Sequence, residues 1–232
     1  RDTYGVIVGS KKIGDETLII VTGRGSYYEA EWASNFTIGK AGDHKGFNDA
    51  KKIAKSFLAN YIKEKGITGK VKFWLSGYSR AGACTNLLAA ALDRHEISGK
   101  IRYSNRDIYA YTFESPACAA TTSLPKLYMY SNIFNLVNPN DPVPYFAPPN
   151  LGFARYGIDK KFPVSKVYED KMIEKYNTCG EAWRAPYEVN ANQGAFLARL
   201  IPSASKSVFK SRANFFLNLC SWFNIFLFFN VI

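Results

Sequence analysis

The architecture of this chain is indicated most strongly by residues 74–83, which read Trp74-Leu75-Ser76-Gly77-Tyr78-Ser79-Arg80-Ala81-Gly82-Ala83. The run at 71–75 is rich in β-branched, aromatic and other strand-forming side chains, and residues 85–92 favour a helix. The sequence therefore predicts a strand, a sharp turn with Ser79 at its apex, and a helix made of small residues.

The turn has the pattern Gly-x-Ser-x-Ala-Gly, with glycine at 77 and alanine at 81. It is a variant of the nucleophile elbow, in which a strained turn lifts a serine hydroxyl off the edge of the sheet. Small residues are needed on both sides because the strand and helix backbones nearly touch. The alternative is a plain strand-to-helix turn in which Ser79 only caps the helix.

Composition limits the classes of partner. The chain has 232 residues, enough for one domain with a sizeable core, and a net charge of +11. This charge favours solubility or attraction to an anionic surface such as a membrane. The lysines are scattered and no nucleic-acid-binding module is present, so we expect no nucleic-acid partner. The four cysteines lack metal-ligand spacing, and we expect neither a metal nor a cofactor.

Strand-like and helical runs alternate along the first two thirds of the chain. This order predicts a mostly parallel sheet covered by helices on both faces. In the predicted helix 47–65, we expect Phe47, Ala50, Ile53, Phe57 and Tyr61 to share the buried face. The loops that follow the strands should meet at one edge of the sheet, where α/β proteins bind ligands; they are residues 22–26, 77–80, 114–118 and 138–144.

Four segments, in this order, resemble the class 3 lipases, the α/β-hydrolases typified by fungal triacylglycerol lipases and their bacterial relatives. The resemblance spans about residues 2–157, and alanine at 81, where many relatives have glycine, is a departure from it. The segments are Thr22-Gly23-Arg24-Gly25-Ser26 with Glu31-Trp32, His44-Lys45-Gly46-Phe47, Gly77-Tyr78-Ser79-Arg80-Ala81-Gly82, and Asn138-Pro139-Asn140-Asp141-Pro142 with the prolines and glycine that follow.

The resemblance implies a role for four residues. Ser79 matches the nucleophile and Asp141 the acid that orients the catalytic histidine. The oxyanion hole would use the backbone N–H of Arg80 and a second donor at Ser26. From the residues alone, Asp141 could instead make an Asx-type turn before a proline, and Ser26 could be a turn residue beside a glycine.

The histidine of such a triad follows the acid along the chain. Here the two histidines, His44 and His95, both precede Asp141. We expect His44 to cap the helix that begins near residue 46 and His95 to face solvent at a helix C-terminus. Neither is expected to be the base. The missing histidine, the abrupt N-terminus and the apolar C-terminus indicate a chain that continues beyond residue 232.

The sequence thus predicts an α/β-hydrolase core at 1–157 and an incomplete helical insert or lid at 158–232. The resemblance implies the bacterial branch of the family. We expect a serine ester hydrolase that acts on lipid carboxylic esters at a membrane or lipid–water interface, secreted or membrane-associated rather than cytoplasmic. The alternatives are a catalytically inactive lipase-like lipid-binding protein and a membrane-attached structural domain. The latter rests on residues 213–232, which carry no charge.

Overall fold

The computed structural model describes residues 4–26, 29–97, 99–120, 127–138, 141, 143–145 and 152–163. The chain divides into a first unit, residues 1–163, and a second, residues 164–232, which lies outside the described residues. The predicted lid and the charge-free stretch 213–232 therefore also lie outside them.

A seven-stranded sheet forms the centre of the first unit. It contains β1 (Val6–Ile13), β2 (Glu16–Gly23), β3 (Gly69–Tyr78), β4 (Ile101–Arg102), β5 (Ile108–Phe113), β7 (Ile133–Val137) and β9 (Ile158–Lys161), in the order β1-β2-β3-β5-β7-β9 with β4 paired to β3. The first two strands form an antiparallel hairpin, and the other pairs are parallel. A short antiparallel pair joins β6 (Ala119–Ala120) to β8 (Phe153–Ala154).

The mostly parallel sheet predicted from the sequence is confirmed. Its strand β9 extends the sheet past residue 157, where we placed the end of the core. The register brings the ends of neighbouring strands together: Gly23 pairs with Gly77, Tyr78 with Phe113, and Phe113 with Leu136. The loops after β2, β3, β5 and β7 therefore start at the same edge.

Three helices are described: α1 (Glu29–Asn35), α2 (Lys45–Glu64) and α3 (Arg80–Asp93). Every residue of α3 is buried, as expected for a helix of small and apolar residues enclosed on all sides. It packs on the sheet residues Phe73, Leu75 and Ile108, which belong to the core cluster. On the other face, the register neighbours Ile20, Trp74 and Tyr109 are 41–49% exposed among the described residues.

The buried face of α2 differs from the predicted one. Ala54, Leu58 and Ile62 are buried, together with Phe47 and Ala50, whereas Ile53 and Phe57 are 51% and 46% exposed. The helix carries two apolar stripes. The buried stripe, which carries Ala54, is the one that packs against α3. Among the described residues, no helix has the length and apolar character needed to cross a bilayer.

Candidate active site

Ser79 lies at the turn between β3 and α3 with φ 55° and ψ −126°, a conformation that residues with a side chain rarely adopt. It occupies the N-cap position of α3, yet its side chain makes no capping hydrogen bond. The capping-serine alternative is therefore wrong. The backbone N–H of Ser79 donates to Phe113 O at 2.9 Å, which fixes the turn against the neighbouring strand.

The glycines around the turn permit a close approach of the chain to itself. A Cβ at Gly77 would lie 2.3 Å from Ala81 O, and one at Gly82 would lie 3.2 Å from Phe113 O. A Cβ at Gly23 would lie 2.9 Å from Ala81 Cβ. The methyl group of Ala81, the departure from the family pattern, is thus accommodated because the end of β2 is a glycine.

The loop Arg24-Gly25-Ser26 lies against this turn. A Cβ at Gly25 would be 3.3 Å from Tyr78 O and 3.7 Å from Ser79 Cβ. The loop is anchored to α1, because the Arg24 guanidinium donates to both carboxylate oxygens of Glu31 at 2.8 and 3.2 Å, and Glu31 is 1% exposed. The predicted oxyanion loop and the predicted nucleophile are therefore neighbours in space.

Ser26 has a partner that the sequence analysis missed. Its Oγ accepts a hydrogen bond from Asn35 Nδ2 at 2.8 Å. Because Asn35 is the donor, the Ser26 hydroxyl proton can point elsewhere. Arg80 is the first residue of α3, where the backbone N–H groups point out of the helix end, and its side chain is buried.

Asp141 follows β7, two strands from Ser79 in the sheet order. Its Oδ1 accepts the backbone N–H of Val143 at 2.8 Å, the Asx-type contact that the residues alone left open. In the described part of the chain, Oδ2 accepts no hydrogen bond. Burial raises the pKa of Asp141, and the bond from Val143 opposes this shift.

A second carboxylate, Glu114, lies at the same edge of the sheet. It follows β5 and has φ 48°, a left-handed conformation unusual for a residue other than glycine. Its two carboxylate oxygens accept the backbone N–H of Asn138, each at 3.0 Å. Burial and the nearby Asp141 carboxylate raise the pKa of Glu114 to about 7.

Neither histidine is joined to Ser79 by a hydrogen bond in the described residues. His44 precedes α2 but does not cap it through its side chain. Its ring stacks on Phe47, with centroids 4.2 Å apart, and its Nδ1 is buried with no described partner. Burial lowers the pKa of His44 to about 4. His95 is exposed just past the end of α3, as expected.

A sequence model of the family described as "Lipase (class 3)" matches residues 20–151. The chain belongs to the class 3 lipase family. No curated protein matches the chain.

Solved structures of fungal lipases resemble this class 3 lipase chain. A lipase from Rhizopus microsporus var. chinensis has a TM-score of 0.50 at 17% identity and covers 70% of the chain. A fungal lipase–inhibitor complex (TM-score 0.49, 24% identity, 61% of the chain) and the Rhizomucor miehei lipase–propeptide complex (0.46, 22%, 68%) also match. The matches span 56–58% of these three proteins. The Rhizopus likeness supports an α/β-hydrolase fold for this chain.

Proposed function

We propose that this class 3 lipase cleaves carboxylic esters of lipids through an acyl-enzyme on Ser79. The Ser79 hydroxyl oxygen would attack the ester carbonyl, and the oxyanion would be bound by Arg80 N–H and the Ser26 donor. The alcohol would then leave, and water would release the acid. The reaction needs neither a metal nor a cofactor, and it would take place at a membrane or lipid–water interface.

The observation that carries this proposal is the strained, uncapped Ser79. A serine that only stabilised a helix would place its side chain on the helix N–H groups, and Ser79 does not. Asp141 supports the proposal, since Val143 fixes one carboxylate oxygen and the other, which accepts no hydrogen bond from the described residues, could orient a histidine.

The proposal assigns the base to chain beyond Ile232. Residues 106–232 contain no histidine, and the match to the Rhizopus microsporus lipase covers 58% of that protein. We further propose that the chain belongs to the bacterial branch of the family and that residues 158–232 form a helical insert between the acid and the histidine. We also propose that the protein is secreted or associated with a membrane.

The direct test is Ser79→Ala, with Ser76→Ala as its matched control. Ser76 lies on β3 three residues away, and its Oγ pairs only with the hydroxyl of Thr22 among the described residues. In the protein extended past Ile232, Ser79→Ala should lower p-nitrophenyl ester hydrolysis by about 10⁴-fold or more, and Ser76→Ala should leave it nearly unchanged. Hydrolysis at the wild-type rate by Ser79→Ala would refute the assignment.

A lipid-binding protein without catalytic activity is the second candidate, and the lack of a histidine at the described site favours it. Fluorophosphonate labelling separates the two. The catalytic proposal predicts slow labelling of Ser79 in the 232-residue chain and fast labelling in the extended one. Slow labelling in both, combined with retention of a fluorescent fatty acid, would favour the binding protein.

A further inference from the structure

The segment that carries Asp141, here called the Asp141 loop, is described at Asn138, Asp141 and Val143–Tyr145, the last three forming a 3-10 turn. Within it, Asp141 N–H donates to Asn138 O at 3.0 Å, and Val143 N–H donates to Asp141 Oδ1 at 2.8 Å. These bonds shape the loop locally. They do not attach it to the rest of the molecule, so other residues must set where its carboxylate stands relative to the sheet.

Glu114 attaches the start of the loop. Its carboxylate receives Asn138 N–H on both oxygens, and its own N–H donates to Leu136 O at 3.0 Å. Because the pKa of Glu114 is about 7, the charge-assisted form of this bond, which is stronger than the neutral form, predominates above that pH. The left-handed conformation of Glu114 is a strain that the rest of the structure must compensate, and such strain concentrates at functional sites.

Arg155 attaches the end of the loop. Its Nη1 donates to Pro144 O at 2.5 Å and to Ser115 O at 3.1 Å, so it joins the loop to the chain that follows β5. Its Nε and Nη2 donate to the two oxygens of Asp159 at 3.1 and 2.7 Å. The Arg155 side chain is only 10% exposed. Of its partners, Asp159 belongs to β9 and Ser115 to the chain after β5, so Arg155 ties Pro144 of the loop to both.

We propose that Glu114 and Arg155 are positioning residues that hold the Asp141 loop at both ends and thereby fix the Asp141 carboxylate toward the catalytic histidine. This role rests on the proposed function at one point: it assumes that Asp141 is the acid of the catalytic triad. Glu114 follows β5 and bonds to Asn138, and Arg155 follows β8 and bonds to Pro144. The two attachments thus lie on either side of Asp141 along the chain. The loop therefore cannot swing without breaking one of the two attachments.

The test uses amide hydrogen exchange and the carboxyl ¹³C signal of Asp141, neither of which requires catalysis. Glu114→Ala should speed exchange at Asn138 about tenfold and shift the Asp141 signal, because the bound N–H loses its acceptor. Glu114→Gln keeps an acceptor oxygen and should restore both readouts. The matched control is Glu16→Ala, which removes a carboxylate paired with Lys70 and Lys72 at the opposite ends of the strands.

For Arg155, the substitution to Lys keeps the charge but loses the planar fork, and the substitution to Met loses both. Each should speed exchange at Val143 and shift the Asp141 signal. The control Arg102→Met, at an exposed position on β4 beside the opposite end of β3, should do neither. An unshifted Asp141 signal in Glu114→Ala and Arg155→Lys would overturn the positioning role. If Ser79→Ala keeps full esterase activity, the proposed function fails while these readouts still decide the attachment of the loop.

Discussion

His44 is a neutral group inside an apolar contact, and protonation would disrupt that contact. Burial lowers the pKa of His44 to about 4, and its ring packs on Phe47 and Phe153. The unfolded chain, with an ordinary histidine pKa, then binds the proton more readily than the folded one. The stabilisation is therefore complete above pH 6.5 and is lost as the pH falls from there toward 4.

We expect His44→Gln, which cannot titrate, to remove this dependence. Between pH 7.5 and pH 5 the wild-type protein should lose roughly 2 kcal/mol of stability relative to the variant. Urea unfolding of both proteins at the two pH values measures the difference. Buried carboxyls such as Asp93 titrate equally in both proteins, so they cancel. Parallel changes in the two proteins would show that His44 is not the group responsible.

Some residues of the candidate site could be predicted from the sequence and others could not. Ser79 and Asp141 could be proposed because each sits in a short local pattern. Glu114 could not, because nothing in its neighbours shows that a glutamate adopts φ 48° or reaches a residue 24 positions away. Arg155 was missed for the same reason, since its partner Ser115 lies 40 positions away and comes close only after the sheet has formed. Asn35 was missed because no local pattern links it to Ser26, nine residues earlier.

Among the helices and strands, β3 and α3 matter most for the site, because the turn between them carries Ser79 and their backbones lie in close contact. This contact leaves no room for a side chain at Gly77, since an added Cβ would lie 2.3 Å from a backbone oxygen of α3. By contrast, a Cβ at Gly9, on the exposed hairpin strand β1, meets nothing within 4 Å.

Gly77→Ala should therefore move β3 and α3 apart and lower stability by about 1–3 kcal/mol or more. It should also abolish fluorophosphonate labelling of Ser79, because the turn changes shape. Gly9→Ala should leave both unchanged within about 0.5 kcal/mol. Thermal unfolding and gel-based labelling report the two effects. Equal behaviour of the two variants would contradict the close packing of this turn.

Elements were easier to predict than their faces. The strands β1, β2, β3, β5 and β7 and the two long helices follow from hydrophobic runs, whereas β4, β6, β8 and β9 were not predicted. Which stripe of α2 is buried did not follow, because Ile53 and Phe57 are as apolar as Leu58 and Ile62. Ala54, a small residue that is not on the predicted face, lies on the buried stripe, where α2 packs on α3. Choosing the buried stripe therefore requires the position of α3, which the sequence pattern of α2 does not contain.

At the scale of the whole molecule, membrane attachment is still a prediction from sequence. Residues 213–232 lie outside the described residues and carry no charge, and Lys206, Lys210 and Arg212 precede them. We expect these basic groups to meet anionic head groups and the apolar stretch to enter the interface.

Deleting residues 213–232 should therefore abolish flotation of the protein with liposomes that contain anionic lipid. The same deletion should leave thermal unfolding of the first unit unchanged, which serves as the control for folding. Equal flotation of the full and shortened proteins would remove this segment from any role at the interface.

Because of the backbone conformation of Ser79, thermal stability and ester hydrolysis favour different residues at this position. Glycine adopts φ 55° without strain, so Ser79→Gly should relieve on the order of 1 kcal/mol and raise Tm by about 2–4 °C. Ser79→Ala keeps the strain and should not. In a library of variants of this protein, selection for folding at high temperature alone should enrich glycine at position 79. Selection for ester hydrolysis should retain serine there. The residue recovered from each selection would then show which pressure has acted on this turn.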